Sequence, residues 1–365
     1  MSDNRSHSSV VFILPSFSGG GAERVSITLL NQLSERGNFS ELSLIVFDDT
    51  GPLSRLLSDK IKVHVLGCQR LREALPALAK CISQNKPRII FSNMAYINQA
   101  VLSLKSFLPK DIKYIVREAN IPLLGTSGLK RVILQAGYRI LYGKADEIVC
   151  PSRCVSDALL PYLSSGFCKP IVIYNPVDVE RIRFHFGSVI RTPGSGVRLV
   201  AAGRLTHQKG FDRLVSIMPE LPQNMHLIIL GEGPEKANLR KQVSDLGLLD
   251  RIKLLGYVDN PWAYIAGADA LVLPSRWEGL PNIALEALAC GTKVISTPEA
   301  GGIDEIATLA PESVLIADMG AEFVSEIMNL EFENQEKKLT RFLLPDNFHY
   351  DQVVREYENL FLSHL

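Results

Sequence analysis

Short apolar runs alternate with segments of helical spacing along almost the whole chain, and this alternation restricts the fold more than any other feature. The run at residues 10–14 is followed by a helical pattern at 22–33, and the run Arg198–Ala202 by a helix that begins near Phe211. Repeated strand–helix units predict parallel sheets with helices on both faces. Ligands of such sheets bind at the carboxyl ends of the strands, so we expect the functional residues in the loops there.

The length of the chain predicts two domains, because 365 residues exceed the size at which a single hydrophobic core usually stops growing. Residues 191–196 are polar and typical of a linker, and we place the boundary near residue 185. The predicted domains are residues 1–185 and 186–345. A final helix is predicted within 346–365, where apolar residues recur on one helical face.

Composition excludes several classes of protein. Lys and Arg together number 39, as do Asp and Glu, so the net charge is zero and bulk nucleic-acid binding is not expected. No apolar run approaches the ~20 residues of a membrane span, and the polar start at residues 1–9 lacks a secretory pattern. The six cysteines are scattered, with no His or Cys cluster for a metal, which favours a reduced, cytoplasmic protein.

One segment predicts a strand, a tight turn and a helix that together carry two carboxylates. The apolar run Ala270–Leu273 is followed by a turn containing Gly279 and Pro281. The helix after it is apolar except for Glu286, which predicts a buried helix whose carboxylate needs a partner or a function. Glu278 lies just before this helix, where backbone N–H groups favour anions. The simpler interpretation is that Glu278 caps the helix and Glu286 pairs with a core Arg or Lys.

Two cations lie in the loop after Arg198–Ala202. Arg204 can bind phosphate oxygens with two N–H groups at once, and Lys209, five residues later, adds a point charge. The loop therefore suits a diphosphate; the alternative is that both residues make surface salt bridges. The loop after the next strand begins at Gly231 and is expected to line the same site.

Three glycines, at positions 19–21, precede the first predicted helix. Gly20 and Gly21 allow the backbone to approach a ligand closely, and a helix N-terminus favours anions. The spacing does not match the Gly-x-Gly-x-x-Gly dinucleotide fingerprint. A flexible turn is the alternative interpretation.

Polar residues also follow the fifth predicted strand. Arg117, Glu118 and Asn120 should lie at the carboxyl edge of the first sheet, where they could orient a second substrate. A charged pair on a surface loop is the alternative.

The region 101–144 is basic although the chain is neutral overall. It has eight Lys and Arg residues against Asp111 and Glu118, an excess of 8 − 2 = 6 positive charges, and apolar residues are interleaved with them. A basic amphipathic surface of this kind can dock on anionic lipid. The alternative is a solvated helix face packed on the sheet.

Together these motifs resemble the retaining glycosyltransferases of family 4, which have the GT-B fold. The resemblance extends from Gly19 to Gly302 in the expected order. It rests on Gly20-Gly21-Ala22-Glu23-Arg24, Asn175-Pro176-Val177-Asp178, Gly203-Arg204-Leu205 with Lys209-Gly210, and Ser275-x-x-Glu278-Gly279-x-Pro281-Asn282 with Glu286-Ala287 and Cys290-Gly291. It implies an α/β GT-B fold of two Rossmann-like parallel-sheet domains facing a cleft. The first domain would bind the acceptor and the second the nucleotide sugar, with the final helix crossing back to the first.

The resemblance also implies a reaction. A hexose or N-acetylhexosamine would move from a UDP- or GDP-sugar, with retained anomeric configuration, to a glycan or polyprenyl-linked acceptor. The setting would be cell-surface polysaccharide or glycoconjugate biosynthesis, on the inner face of the membrane. Since the sequence has no Asp-x-Asp metal motif, no metal ion or cofactor is expected.

Residue roles carry over at the matching positions. Arg204 and Lys209 would stabilise the departing diphosphate, Glu278 the sugar hydroxyls and the oxocarbenium-like charge, and Glu286 the ribose hydroxyls. The acceptor would attack from the same face as the leaving phosphate. The donor-binding set would comprise Gly20, Gly21, Arg204, Lys209, Gly231, Val258, Glu278, Gly279, Leu280, Pro281, Asn282 and Glu286. Arg117, Glu118 and Asn120 are the acceptor candidates, because the His that relatives often carry there is absent.

Two other functions fit a pair of such domains. One is a nucleotide-sugar epimerase, which would need well-placed acid and base groups. The other is a non-catalytic partner that binds the donor and supports another transferase. Incubation with UDP- and GDP-sugars separates them: slow hydrolysis indicates a transferase, interconversion an epimerase, and inert binding a partner protein.

Overall fold

The structure is a computed structural model that describes residues 8–68, 70–164, 166–185, 189–190, 196–330 and 341–365. The chain divides into two compact units. Unit 1 comprises Met1–Pro176 and Asp351–Leu365, and unit 2 comprises Val177–Tyr350. The division falls nine residues before the position near 185 that we predicted. The predicted linker, apart from Gly196, lies outside the described residues.

Unit 1 contains a seven-stranded parallel sheet with the strand order β3-β2-β1-β4-β5-β6-β7. Its strands are β1 (Ser9–Leu14), β2 (Glu41–Val46), β3 (Lys62–Val65), β4 (Ile89–Asn93), β5 (Lys113–Arg117), β6 (Glu147–Cys150) and β7 (Ile171–Val172). The main helices are α1 (Gly21–Arg36), α2 (Leu71–Asn85), α3 (Ala95–Leu104), α4 (Gly128–Leu141), α5 (Arg153–Leu159) and the C-terminal α13 (Tyr350–Ser363). The predicted strand at residues 10–14, the helix at 22–33 and the final helix within 346–365 correspond to β1, α1 and α13.

The central strands of unit 1, β1, β4 and β5, are almost entirely buried because both faces of the sheet are covered. Along β1, Phe12 faces the core that α1 and α13 cover, whereas Ile13 faces the core beneath α2, α3 and α4. In α13, Val353, Tyr357 and Phe361 are fully buried in the first of these cores. The final helix therefore belongs to unit 1, as predicted, although it follows all of unit 2 in the chain.

Unit 2 contains a six-stranded parallel sheet with the order β10-β9-β8-β11-β12-β13. Its strands are β8 (Arg198–Ala202), β9 (His226–Leu230), β10 (Ile252–Gly256), β11 (Ala270–Leu273), β12 (Lys293–Ser296) and β13 (Val314–Ile316). The main helices are α6 (Val179–His185), α7 (Phe211–Ile217), α8 (Lys236–Asp245), α9 (Pro261–Gly267), α10 (Asn282–Ala289), α11 (Ile303–Leu309) and α12 (Ala321–Met328).

Each sheet has one point at which the strand order reverses. In unit 1 it lies between β1 and β4, and in unit 2 between β8 and β11. The loops leaving two such strands diverge to opposite faces of the sheet and leave a crevice between them, where ligands of open parallel sheets bind. The loops after β8 and β11 contain the cations and the first carboxylate that the sequence singled out.

Candidate active site in the second unit

The loops at the carboxyl edge of unit 2 pack backbone against backbone, and glycines make this possible. Gly210 has a φ of 68°, and a Cβ atom there would lie 2.0 Å from the carbonyl oxygen of Pro274. At Gly231 the φ is 135°, and a Cβ would lie 1.9 Å from the carbonyl oxygen of Gly203. A side chain at either position would separate the loops after β8, β9 and β11, so the glycines hold the crevice in shape.

Side chains then join the loop after β8 to the loop after β11. The guanidinium of Arg276 binds both carboxylate oxygens of Asp212, at 2.8 and 2.7 Å. The backbone N–H of Arg276 donates to the carbonyl of Gln208 over 2.7 Å, and the Gln208 amide donates to the carbonyl of Trp277 over 3.0 Å. Paired charges and backbone acceptors hold the two loops in one arrangement, as a preorganised site requires.

Lys209 and Glu278 meet across this crevice in an ion pair. The Ser275 hydroxyl donates to the same carboxylate oxygen of Glu278 over 2.9 Å, and both Ser275 and Glu278 are buried. The position of Ser275 is itself fixed by the Thr297 hydroxyl, which donates to its carbonyl over 2.8 Å. Glu278 therefore orients Lys209 and does not cap α10, whose N-cap residue is Pro281.

Arg204 is the contrasting cation. It is exposed, and its guanidinium makes no hydrogen bond or ion pair with another residue among those the structure describes. The predicted alternative of a surface salt bridge is therefore not seen within those residues. A cation at the reversal point of the sheet is thus directed to solvent, where it can bind an incoming anion.

Glu286 has a hydrogen-bond partner that the sequence did not indicate. The indole N–H of Trp262, in α9, donates to its carboxylate over 2.7 Å. Glu286 and Asn282, one helical turn apart, are only half-buried, so α10 is not enclosed all round as its apolar sequence predicted. The apolar sequence of α10 did not distinguish a helix enclosed in a core from one that lines an open crevice, because apolar residues occur in both.

The remaining donor candidates lie around the same edge. Gly279, Leu280 and Pro281 are buried in the turn before α10, and the carbonyl of Gly279 accepts a bond from Gly302 over 3.0 Å. The half-buried Val258 follows β10. Sequence reasoning overlooked Ser275 and Trp262 as contributors. Only the Ser-x-x-Glu spacing could have indicated the first, and nothing local indicated the second.

An acidic side chain lies at the glycine loop of unit 1. The carboxylate of Glu23 folds back over the start of α1, so that a Cβ on Gly20 would lie 2.2 Å from it. Glu23 is buried and accepts a hydrogen bond from the Ser18 hydroxyl over 3.3 Å. A negative side chain thus already occupies the helix start where we expected Gly20 and Gly21 to meet a diphosphate. The sequence alone could not indicate that the Glu23 side chain points back toward Gly20.

Arg117 is buried, contrary to the expectation of an accessible side chain. Its guanidinium donates to the side-chain oxygen of Asn93 over 3.0 Å and to that of Asn175. The Asn93 amide in turn donates to the carbonyl of Ala22 over 2.9 Å. Arg117 therefore links three chain segments to the beginning of α1, and its burial rules out direct contact with an acceptor in this conformation.

Glu118 points to the opposite face of the sheet from Arg117 and is also buried. The hydroxyl of Tyr142 donates to its carboxylate, and the Asn98 amide donates to that hydroxyl over 3.2 Å. Burial raises the pKa of Glu118 to about 7, although the tyrosine hydrogen bonds and the Arg117 charge oppose the rise. The half-buried Asn120 accepts a bond from the backbone N–H of Ile121 over 2.9 Å. The three acceptor candidates thus do not form one open cluster.

Family models match both halves of the chain. Residues 19–181 match the model described as Glycosyltransferase Family 4, and residues 189–342 match the one described as Glycosyl transferases group 1. The chain belongs to glycosyltransferase family 4. The two parallel-sheet units of this glycosyltransferase are the Rossmann-like domains of the GT-B fold, as the sequence predicted.

Two curated relatives illustrate the similarity of this glycosyltransferase to known enzymes. It is 28% identical to the N-acetylgalactosamine-N,N'-diacetylbacillosaminyl-diphospho-undecaprenol 4-alpha-N-acetylgalactosaminyltransferase of Campylobacter jejuni, over 80% of this chain and 81% of that protein. It is also 28% identical to the lipopolysaccharide core biosynthesis glycosyltransferase LpsE of Rhizobium meliloti, over 77% of each.

Solved structures share its fold. Anabaena Alr3699/HepE in complex with UDP and glucose has a TM-score of 0.76 at 19% identity, over 98% of this chain and 100% of that one. Sucrose-phosphate synthase from Thermosynechococcus elongatus has a TM-score of 0.79 at 17% identity, over 98% and 99%.

Two features are absent from the residues that the structure describes. These residues contain no group of three or more His, Cys, Asp or Glu residues that could hold a metal ion. Among the helices of those residues, none combines the length and apolar character that crossing a membrane requires.

Proposed function

We propose that this glycosyltransferase moves a hexose or N-acetylhexosamine, with retained configuration, from a UDP- or GDP-sugar to a glycan or polyprenyl-linked acceptor. The observation that carries the proposal is the placement of Arg204, Lys209 and Glu278 at the reversal point of the second sheet. These are two cations and an oriented carboxylate beside the helix start of α10. Such a set suits the diphosphate of a nucleotide sugar and the hydroxyls of its sugar.

Arg204 and Lys209 contact the leaving diphosphate in different ways. Arg204, exposed and without a partner among the described residues, can bind phosphate oxygens with two N–H groups. Lys209, held by Glu278, can add its charge to the bridging or terminal oxygens without leaving that carboxylate. Together they stabilise the two negative charges of the departing diphosphate, so the step requires no metal ion.

The carboxylates act on the donor's hydroxyls. Ser275 and Lys209 fix Glu278, so it can accept bonds from the sugar and face the positive charge that develops at the anomeric carbon. Glu286, fixed by Trp262, is suited to the ribose hydroxyls. The acceptor then attacks on the side that the diphosphate leaves, and a phosphate oxygen takes its proton. The anomeric configuration is thereby retained.

Relatives support the choice of substrates. The Campylobacter jejuni relative is named for N-acetylgalactosamine transfer to a diphospho-undecaprenol-linked sugar, and the Rhizobium meliloti relative for lipopolysaccharide core biosynthesis. We therefore propose an N-acetylhexosamine or hexose donor, a polyprenyl-linked glycan acceptor, and cell-surface polysaccharide or glycoconjugate assembly. The corresponding location is the cytoplasm at the inner face of the membrane.

A donor panel tests the proposal. The purified protein is incubated in EDTA with UDP- and GDP-linked glucose, galactose, mannose and N-acetylhexosamines, first alone and then with polyprenyl diphosphate oligosaccharides. We expect slow release of nucleotide from one donor, faster release with acceptor, and an α-linked product from an α-linked donor by NMR. Interconversion of donors would establish an epimerase instead. Binding without release, with every acceptor, would indicate a non-catalytic partner.

A further inference from the structure

The outer face of α4 exposes large apolar side chains that no described part of the chain covers. Leu129 is 74% exposed, Val132 62%, Ile133 58% and Ile140 67%. At 100° per residue, these four positions fall within an arc of about 100° on the helix surface. The opposite side of α4 packs into unit 1 through residues such as Leu134 and Tyr138. The helix is therefore apolar on two faces, and the sheet needs only one of them.

The charges on α4 identify what can cover the outer face. The helix contains Lys130, Arg131 and Arg139 and no Asp or Glu. A second copy of the chain docked through the same face would place these cations against each other, which is repulsive. An anionic lipid surface instead accepts the apolar residues in its acyl boundary and the cations at its headgroups.

A further exposed aromatic residue extends this surface. Phe107 is 83% exposed and lies in the turn just after α3. The turn is joined to the C-terminal end of α4, because Lys144 donates to the Ser106 hydroxyl over 3.4 Å and Lys105 to the Lys144 carbonyl over 2.7 Å. The apolar residues thus reach from the first turn of α4 to beyond its last, with cations distributed along them.

We propose that the outer face of α4, with Phe107 at its end, docks on an anionic lipid bilayer with the helix axis parallel to the surface. The docking would bring unit 1 to the membrane that carries the polyprenyl-linked acceptor, and in that respect it rests on the proposed function. The docking itself does not depend on sugar transfer. It specifies which residues of the basic region 101–144 meet lipid.

Vesicle flotation tests the docking directly. The full chain is mixed with phosphatidylcholine vesicles with or without phosphatidylglycerol. We expect binding to the anionic vesicles only, weakened by salt. Replacing Lys130 and Arg139 by Gln should weaken binding about fivefold for each cation removed. The triple variant Leu129→Ser, Ile133→Ser, Ile140→Ser should lose binding. Leu249→Ser, a 60% exposed position in unit 2, is the matched control and should bind as the wild type does.

The outcomes separate this inference from the proposed function. Absence of binding to anionic vesicles, equal binding to both kinds, or unchanged binding of the triple variant would overturn the docking. A wild-type dimer that the triple variant turns into a monomer, by light scattering, would show that α4 covers a second copy instead. Hydrolysis of the nucleotide sugar without acceptor, measured in the same variants, should be unchanged. If no donor is turned over while binding follows the pattern above, only the proposed function fails.

Discussion

The two cations of the candidate site, Lys209 and Arg204, have opposite environments. Lys209 is bound to a buried carboxylate, whereas Arg204 is exposed and has no partner among the described residues. The sequence predicted both as phosphate ligands from their spacing alone, and spacing could not distinguish them. The partner of Lys209 lies 69 positions along the chain, in a loop that only the folded sheet brings near.

This difference predicts that substitutions of the two cations have the same effect on activity but different effects on stability. Arg204→Ala and Lys209→Ala should each reduce kcat about 10²–10³-fold, because each removes charge stabilisation from the leaving group. Only Lys209→Ala should lower the free energy of unfolding, by about 1–3 kcal/mol, since it leaves Glu278 buried without its cation. Donor turnover and urea unfolding give the two readings. Lys241→Ala, which breaks the exposed pair with Asp245, should change neither.

The buried Glu118 predicts a dependence of stability on pH. Its pKa is raised from 4.5 to about 7, so the folded state favours the protonated form. That contribution, up to about 3 kcal/mol, is complete below pH 4.5 and is lost as the pH rises through about 7. Glu118→Gln, which cannot ionise, should lack this loss.

The test for Glu118 is a series of unfolding curves for wild type and Glu118→Gln across that pH range. The variant should gain stability relative to the wild type as the pH rises. A constant difference between the two proteins would contradict the buried, raised-pKa carboxylate. Glu356→Gln, at a half-buried position of α13, controls for the general effect of removing a carboxylate.

Elements were easier to predict than sites. The apolar runs at residues 10–14, 198–202 and 270–273 predicted β1, β8 and β11, because central strands that are covered on both faces are mostly apolar. A residue that acts through a distant partner could not be predicted, since Trp262 lies 24 positions from Glu286 and reaches it only through the folded arrangement. The prediction that Arg117 is accessible to solvent was wrong because its partners also lie far away in the chain. A cation at a strand end is usually exposed, but here the side-chain oxygens of Asn93 and Asn175 accept hydrogen bonds from the Arg117 guanidinium inside unit 1.

The packing of α13 predicts that the final helix is essential to unit 1. Phe361 is fully buried among aromatic rings, with centroids 6.0 Å from Phe12 and 5.6 Å from Phe91. Phe361→Ala should cost about 3–5 kcal/mol, from lost burial and the cavity left behind. Leu362→Ala, at the neighbouring position that is 43% exposed, should cost far less. Thermal or urea unfolding measures both, and similar values would contradict the packing of α13 in unit 1.

At the scale of the whole molecule, most of the donor-site candidates belong to unit 2, and Gly20 and Gly21 belong to unit 1. In unit 1, the Glu23 carboxylate lies against Gly20, and Arg117 and Glu118 are buried. Gly21 is exposed and Asn120 is half-buried. The sequence predicted the fold of each unit and the family. It could not predict this unequal distribution, because side-chain direction at a loop is decided by neighbours far away in the chain.

This distribution predicts where a nucleotide will act. UDP or GDP in EDTA should slow amide hydrogen exchange in residues 203–210 and in the turn before α10, since the cations and helix start lie there. Mass spectrometry of the exchanged peptides measures the effect, and Arg204→Ala should remove it. Protection that appears only after a divalent cation is added would contradict a metal-independent site.

The order in which the chain is synthesised gives the position of α13 another consequence. Residues 8–176 emerge from the ribosome first, yet the helix that completes their core emerges only after the whole of unit 2. Unit 2 is continuous and can fold as soon as it is made, whereas unit 1 must wait with part of its apolar core uncovered. Nascent chains halted before Tyr350 should therefore depend on chaperones at the N-terminal half of the protein.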